Sequence, residues 1–215
     1  LIQKMIIQKC NQAGKPVITA TQMLESMISS PVPTRAEVSD IANAIIDGTD
    51  AIMLSEETTL GEYPIEAVNV MARVATHTEE EHFTDNSNLD MFWAEDDVAR
   101  AITSGSIHIA DEIDADYIVC ITDKGYTARL ISRYKPYQKI VAITPRQKTA
   151  NQLQLSYGVN TVVTKPFTSL STKIKTIREL FVKNKWGKKG DKIVIISDMP
   201  FGKKTHTSAT IVETL

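Results

Sequence analysis

The chain has 215 residues and a formal net charge of -2 at pH 7, with 42% hydrophobic and 23% charged residues. These values are ordinary for a globular protein of one large or two small domains. The balanced charge gives no electrostatic footprint for nucleic acid or for an anionic membrane surface, and no apolar run approaches the ~18 residues of a membrane-spanning helix. We therefore predict neither a nucleic-acid partner nor a membrane association.

The two cysteines give a prediction about the redox compartment. Cys10 and Cys120 lie far apart in the sequence and have no metal-ligand spacing. Cys120 belongs to the apolar run YIVCI, which favours a reduced thiol in a protein core. Reduced thiols suit a cytoplasmic protein. The N-terminal sequence LIQKMIIQKCNQAG lacks the cleavage site of a signal peptide and starts with Leu, so we interpret the chain as a piece of a longer gene product.

A strand–loop–helix unit is predicted near the N-terminus. Residues 1–11 have the pattern of the end of a helix, and a strand is predicted over 16–21. Thr34 and Glu37 have the spacing of a capping box, which predicts that the next helix starts after Thr34. The apolar residues of that helix recur with helical spacing: Val38, Ile41, Ala42 and Ile45.

A second unit of the same kind follows. Its predicted strand, 50–55, is apolar almost throughout, as expected when both faces are buried. Pro64 predicts the first turn of the next helix, whose inward face we predict to hold Ile65, Val68, Ala72 and Ala75. The neighbouring carboxylates Glu56 and Glu57 resemble a metal-binding pair, but we interpret them as a solvated loop and predict no metal ligand.

Polar side chains therefore follow both predicted strands. Polar groups at the carboxyl ends of parallel strands form the active face of a (β/α)8 barrel. Thr21 is the main candidate, because a hydroxyl just beyond a barrel strand can donate a hydrogen bond to a carboxylate or phosphoryl oxygen. The alternative is a threonine that only caps the end of a strand.

The remainder of the chain has a different pattern. A polar, acidic segment predicts a linker over 81–94. From 95 to 215, strands and helices alternate, which is typical of a mostly parallel, helix-covered sheet. The predicted strands are 116–122, 139–144, 160–164, 191–198 and 210–214, with the last two antiparallel, and the predicted helices are 95–113, 126–134, 147–157 and 169–185.

Several short sequence motifs within residues 15–64 resemble those of the pyruvate kinase family: KPVI-AT-QMLESM, PTRAE-SD-ANA, DGTDA-MLS-ET and G-YP. A looser resemblance continues to the C-terminus. It implies an α/β fold, with the last two βα units of a TIM (β/α)8 barrel in residues 1–80. A three-layer α/β/α domain with a mostly parallel five-stranded sheet would follow in 95–215. The implied reaction is glycolytic: phosphoryl transfer from phosphoenolpyruvate to ADP, giving pyruvate and ATP, in a cytoplasmic homotetramer.

The resemblance also implies roles for single residues. Thr21 matches the threonine that contacts phosphoenolpyruvate. Arg35 begins a helix that packs across a subunit interface in the family, and an ordinary exposed arginine is the alternative. The family's catalytic lysine and metal carboxylates lie earlier in the barrel. The resemblance therefore implies no catalytic residue and no ligand for the enzyme's Mg²⁺ or K⁺ in this chain, which would be inactive alone. Glu56 departs from the glycine that the family usually has there.

The sequence TDKGYTA over 122–128 is a candidate anion site. Backbone N–H groups at a glycine-containing strand–helix turn can hold a phosphate. Many pyruvate kinases have T-K-S-G-R-T-A here and hold a phosphate of a sugar-phosphate effector. The candidate contacts in this chain are Thr122, Lys124, Gly125 and Thr127. Asp123 and Tyr126 depart from the family pattern, and the Trp and Arg of a fructose-1,6-bisphosphate site have no counterpart in 166–173, so we expect a different phosphate-bearing effector.

Two alternative functions are left open. The first is a stand-alone module that binds an effector without turnover. The second is a purely structural assembly piece, in which 122–128 is a plain strand–helix turn. A shift in melting temperature with sugar phosphates favours the first alternative, whereas indifference to changes at Gly125 or Thr127 favours the second.

Overall fold

The structure is a computed structural model that describes residues 1–81, 97–167, 169–198 and 207–215. The chain divides into two compact units, Leu1–Asp85 and Asn86–Leu215. The predicted linker over 81–94 lies outside the described residues, except for Glu81, which ends a helix. Within the described ranges, no helix is both long and apolar enough to cross a membrane.

The first unit contains two successive strand–loop–helix segments. Strands β1 and β2 are parallel, with Ile18 opposite Ala51 and Thr19 opposite Ile52. Both strands are shorter than predicted, because each is paired only with the other among the described residues and most of the flanking backbone has no ladder partner. The elements are α1 (Ile2–Gln12), β1 (Ile18–Thr19), a 3-10 turn (Glu25–Ile28), α2 (Arg35–Ile46), β2 (Ala51–Ile52), α3 (Glu56–Thr59) and α4 (Pro64–Glu81).

The predicted capping box at the start of α2 is confirmed. The Thr34 side chain accepts a hydrogen bond from the Glu37 N–H at 3.3 Å, and the Glu37 carboxylate accepts one from the Thr34 N–H at 2.8 Å. Two otherwise unpaired donors of the first helical turn are thereby satisfied, which fixes where α2 begins.

The predicted inward face of α4 is wrong. Ile65 is 70% exposed and Val68 is 50% exposed. Both flanks of this helix are apolar, and packing against α2 selects the flank that is buried. That flank and its neighbours form the core of the unit: Met23, Leu24, Met27, Ile41, Ala44, Ala67, Val70 and Met71.

The second unit contains one five-stranded sheet in the order β5-β4-β3-β6-β7. Neighbours are parallel except β6 and β7, which are antiparallel as predicted. The helices α6 and α7 end earlier than predicted. The elements are α5 (Asp97–Glu112), β3 (Tyr117–Ile121), α6 (Tyr126–Ser132), β4 (Lys139–Thr144), α7 (Gln147–Leu153), β5 (Val159–Val163), α8 (Leu170–Asn184), β6 (Lys192–Asp198) and β7 (Thr207–Thr214).

Helices cover both faces of this sheet, which confirms the predicted three-layer α/β/α arrangement. One face packs against α5, α6 and α7 through residues such as Ile107, Ile131 and Leu153. The opposite face packs against α8 through Ile177 and Phe181. Alternate residues of the central strands point to the two faces, so strands buried on both sides are apolar throughout.

Candidate functional site

The candidate substrate residue Thr21 lies at the carboxyl end of β1 and is exposed. Its hydroxyl lies 3.8 Å from the Met23 sulfur, which is a weak acceptor. The chain is buried again directly afterwards, at Met23 and Leu24, which are fully inaccessible. An exposed hydroxyl thus stands on a loop whose following residues are fixed in the core.

The interpretation of Glu57 as part of a solvated loop is wrong. Glu57 is only 5% exposed, whereas Glu56 beside it is exposed. One carboxylate oxygen of Glu57 accepts a hydrogen bond from the Leu24 N–H at 3.2 Å, and the other accepts one from the Ser55 N–H at 2.7 Å. This single side chain therefore joins the loop that follows β1 to the loop that follows β2.

Buried hydroxyls fix the strands beneath these loops. The Thr19 hydroxyl donates to the Thr49 hydroxyl at 2.8 Å, and both residues are buried. The Thr49 hydroxyl lies 3.1 Å from the Val17 carbonyl oxygen and 3.0 Å from that of Ala51. The ends of β1 and β2 are consequently held together at a fixed spacing.

The described residues do not fit a divalent metal site. No group of three or more His, Cys, Asp or Glu side chains in the described part of the chain could hold an ion. Glu57 already uses both oxygens on backbone N–H groups.

The predicted interface residue Arg35 is the first residue of α2 and is exposed. It forms no ion pair with another described residue. A cation at a helix N-terminus is disfavoured by the helix dipole. Its guanidinium is therefore available to an acceptor outside the unit.

The predicted anion loop lies between β3 and α6 and has internal partners for several of its groups. The Gly125 N–H donates to the Thr122 hydroxyl at 3.0 Å, with Gly125 in the left-handed region at φ 81°. The Thr127 hydroxyl lies 2.6 Å from the Thr207 hydroxyl on β7. Lys124 is exposed, and its carbonyl accepts from the Arg129 guanidinium at 3.2 Å.

The loop is also tied to the neighbouring β4–α7 turn. The Arg146 guanidinium donates two hydrogen bonds to the Asp123 carboxylate, at 2.6 and 2.8 Å. The Asp123 carbonyl accepts from the Thr144 and Thr149 hydroxyls at 3.3 and 2.9 Å. Asp123, which departs from the T-K-S-G-R-T-A pattern, therefore has a structural role in this loop.

The position of the anion loop in the sheet favours a ligand site. The chain winds from β3 outward to β4 and β5 and then returns through α8 to β6 on the other side of β3. In open α/β sheets, ligands bind outside the carboxyl ends of the strands at such a switch point. Lys173 of α8 is 1% exposed, and its burial lowers the pKa of its ammonium, which the nearby Asp198 partly offsets.

The structure thus brings together Thr122, Lys124, Gly125 and Thr127 on one loop, while Thr21 and Arg35 lie in the other unit. Sequence reasoning missed the joining role of Glu57 and the partners Arg146 and Thr207. Each of these contacts joins segments distant in sequence, with no local pattern to reveal it. The basic sequence GKKTHTS over 202–208 predicts a loop that could cover a phosphate, and it lies outside the described residues, except for Thr207 and Ser208 of β7.

Two strand–loop–helix segments with polar strand ends, followed by an open sheet covered on both faces, define a two-unit α/β protein. Comparison with known proteins narrows this class. The model of the pyruvate kinase barrel domain matches residues 1–68, and the model of the pyruvate kinase alpha/beta domain matches residues 100–212. The chain belongs to the pyruvate kinase family.

Individual relatives agree with this assignment. A pyruvate kinase of Clostridium acetobutylicum is 46% identical over 98% of this chain and 44% of the relative, and one of Dictyostelium discoideum is 40% identical over 99% and 43%. A crystal structure of a pyruvate kinase from Cryptosporidium parvum has a TM-score of 0.88 at 38% identity, covering 99% of this chain and 42% of that one. The chain thus spans less than half the length of these relatives and corresponds to their C-terminal part.

Proposed function

We propose that this chain is the part of a pyruvate kinase that contributes substrate contact and assembly to phosphoryl transfer from phosphoenolpyruvate to ADP. The observation that carries the proposal is the exposed Thr21 hydroxyl at the carboxyl end of β1, on a loop that the Leu24–Glu57 hydrogen bond joins to the loop after β2. A hydroxyl there can donate to a carboxylate or phosphoryl oxygen of the substrate. Substrate contact of this kind orients the reacting group without taking part in bond making.

The groups that stabilise the moving phosphoryl charge are proposed to lie elsewhere in the protein. Phosphoryl transfer depends on cationic groups and metal ions around the transferred group. We propose that Mg²⁺ and K⁺ are bound by residues outside this chain, and that the chain alone has no activity. ATP binding belongs to the same proposal, because it also requires the completed barrel.

The test compares the 215-residue chain with a full-length polypeptide in which it forms the C-terminal part. The full-length protein is expected to convert phosphoenolpyruvate and ADP to pyruvate, and the chain alone is expected not to. Thr21→Val should raise KM for phosphoenolpyruvate about tenfold. Thr164→Val is the matched control, because Thr164 also follows a strand but lies in the other unit. Unchanged kinetics for Thr21→Val would reject Thr21 as a substrate contact.

A second candidate function is the binding of a phosphate-bearing effector by the β3–α6 loop. The observation that favours it is the location of this loop at the switch point of the sheet. Inorganic phosphate and a sugar bisphosphate should then raise the melting temperature, and Lys124→Ala should weaken the shift while Lys148→Ala leaves it unchanged. A purely structural loop would give no shift with either ligand.

Assembly and location complete the proposal. Arg35 at the start of α2 is exposed and Val32, three residues before it, is 65% exposed, which supports a subunit contact, and we propose a homotetramer. Native mass spectrometry of wild type and Arg35→Ala tests this assembly, since loss of the contact should yield smaller species. Both cysteines are free thiols, which supports a cytoplasmic location.

A further inference from the structure

Glu57 differs from the exposed Glu56 beside it in its burial and in its hydrogen bonds. Its carboxylate is almost wholly inaccessible, yet both oxygens face backbone N–H donors on two different loops. One donor, Leu24, lies three residues beyond Thr21, and the other, Ser55, lies just beyond β2. A buried carboxylate is costly unless hydrogen bonds compensate it, so the site has to keep both donors in place.

The short helix that carries Glu57 is itself firmly anchored. The Leu60 and Gly61 N–H groups both donate to the Glu56 carbonyl, at 2.9 and 2.8 Å. A Cβ atom at Gly61 would lie 2.6 Å from the Glu57 carbonyl oxygen, so only glycine allows this close approach. Next, the Glu62 N–H donates to the Ile28 carbonyl at 2.8 Å. The segment 56–62 thus holds the loop after β1 at two points, Leu24 and Ile28.

We propose that Glu57 is a positioning residue, which sets the place of the Thr21 hydroxyl by holding the Leu24 N–H against α3. The proposal rests on the proposed function, in which Thr21 contacts phosphoenolpyruvate. Among the described residues, the Thr21 hydroxyl has only the weak Met23 contact, so the backbone of its loop determines where the hydroxyl lies. A carboxylate suits this task because it is an acceptor at both oxygens.

Substitution at Glu57 should act in a graded way. Glu57→Gln keeps one acceptor but places an NH₂ group against one of the two N–H donors, so one loop loses its anchor. Glu57→Ala removes both acceptors and leaves two buried N–H groups unpaired. Displacement of a positioned group by about 1 Å can cost up to about a hundredfold in rate.

The decisive experiment is a double-mutant cycle in the full-length polypeptide, using Glu57→Gln, Thr21→Val and the double variant. We expect Glu57→Gln to raise KM for phosphoenolpyruvate about tenfold, with KM for ADP unchanged. In the Thr21→Val background the same substitution should have no further effect, because the hydroxyl that it positions is gone. Glu56→Gln is the neighbouring control, and Thr78→Val is a control for lost stability in the same unit, because the buried Thr78 hydroxyl donates to the Val74 carbonyl within α4.

Each outcome decides the proposal. Additive effects of Glu57→Gln and Thr21→Val, or a fall in melting temperature with unchanged KM, would show a merely structural carboxylate and overturn it. If Thr21→Val alone changes nothing, the substrate contact of the proposed function fails, and the positioning role fails with it. If Glu57→Gln does not fold, Glu57→Asp takes its place in the cycle, since it keeps a carboxylate but can reach only one loop.

Discussion

Burial and backbone conformation give single residues of this chain distinct properties. Cys120 is fully buried in β3, and this burial raises the pKa of its thiol to about 12. Cys10 of α1 is partly exposed. Gly125 holds a left-handed conformation that other residues rarely adopt. Each of these features leads to a measurement on one side chain.

The two cysteines should differ sharply in reactivity. Only a thiolate reacts readily, and Cys120 is both inaccessible and held protonated at neutral pH. Alkylation of the native protein with iodoacetamide is expected to add one group, at Cys10, and alkylation in denaturant is expected to add two. Intact mass spectrometry counts the adducts. Two adducts under native conditions would contradict the burial of Cys120.

Alanine should have opposite effects at two glycines. At Gly125, a Cβ atom would meet a left-handed backbone and lie 2.8 Å from an Arg129 nitrogen, so Gly125→Ala should lower the free energy of unfolding by about 1–2 kcal/mol. At Gly105, on the exposed side of α5, nothing lies within 4 Å, and Gly105→Ala should raise it by about 0.5–1 kcal/mol. Urea titration measures both. If both substitutions changed the free energy of unfolding in the same direction, the argument from backbone conformation would be refuted.

Among the helices and strands, α2 has a start that is fixed by hydrogen bonds between nearby residues. Glu37 completes the capping box and also accepts a hydrogen bond from the Ser26 N–H at 2.7 Å. Burial tends to raise the pKa of Glu37, but the hydrogen bonds from Ser26 and Thr34 outweigh it, so the pKa is lowered from 4.5. The start of α2 is therefore coupled to the 3-10 turn after β1.

This coupling should appear as acid sensitivity. A carboxyl whose pKa is lower in the folded state contributes stability that is fully present above about pH 4.5 and is lost as the pH falls through the folded pKa. Glu37→Gln should therefore be less stable than wild type near neutral pH, and the difference should shrink below about pH 4.5. Glu25→Gln, an exposed neighbour, is the control. A difference that is independent of pH would contradict the assignment.

The positions of helices and strands are easier to predict from the sequence than the way in which these elements pack against each other. The Thr34 capping box and the alternation of strands with helices depend on nearby residues, so pattern and spacing were sufficient. The buried flank of α4 depends on its contact with α2, and hydrophobic spacing allowed more than one apolar flank. The roles of Glu57 and Arg146 depend on long-range hydrogen bonds, which have no local signature.

At the scale of the whole molecule, the two units differ in how well they cover their apolar side chains. The second unit has apolar clusters on both faces of its sheet. The first unit has a single cluster and exposes Ile2, Leu60 and Ile65 at 70% or more, whereas Val182 is the one large apolar side chain that reaches that level in the described part of the second unit. We expect the exposed side chains of the first unit to contact another segment or chain.

The second unit should therefore fold by itself. Residues 86–215 expressed alone are expected to give one cooperative thermal transition and a helix-plus-strand circular dichroism spectrum, because both faces of the sheet stay covered. Residues 1–85 alone are expected to associate or remain partly unfolded, because apolar side chains such as Leu60 and Ile65 stay exposed. Light scattering together with circular dichroism separates these outcomes. A stable monomer of residues 1–85 would contradict the conclusion that the first unit covers its apolar side chains less well than the second.

The strand order of the second unit also has a consequence for protein synthesis. The central strand β3 lies between β4 and β6, so that Tyr117 is flanked by Lys139 and Ile193. At about 5–20 residues per second, a ribosome adds β6 on the order of 10 s after β3. During that interval one flank of the most apolar strand has no partner in the nascent chain. A product truncated before Lys192 would therefore keep this flank of β3 unpaired, and we expect it to depend on a chaperone or to be degraded.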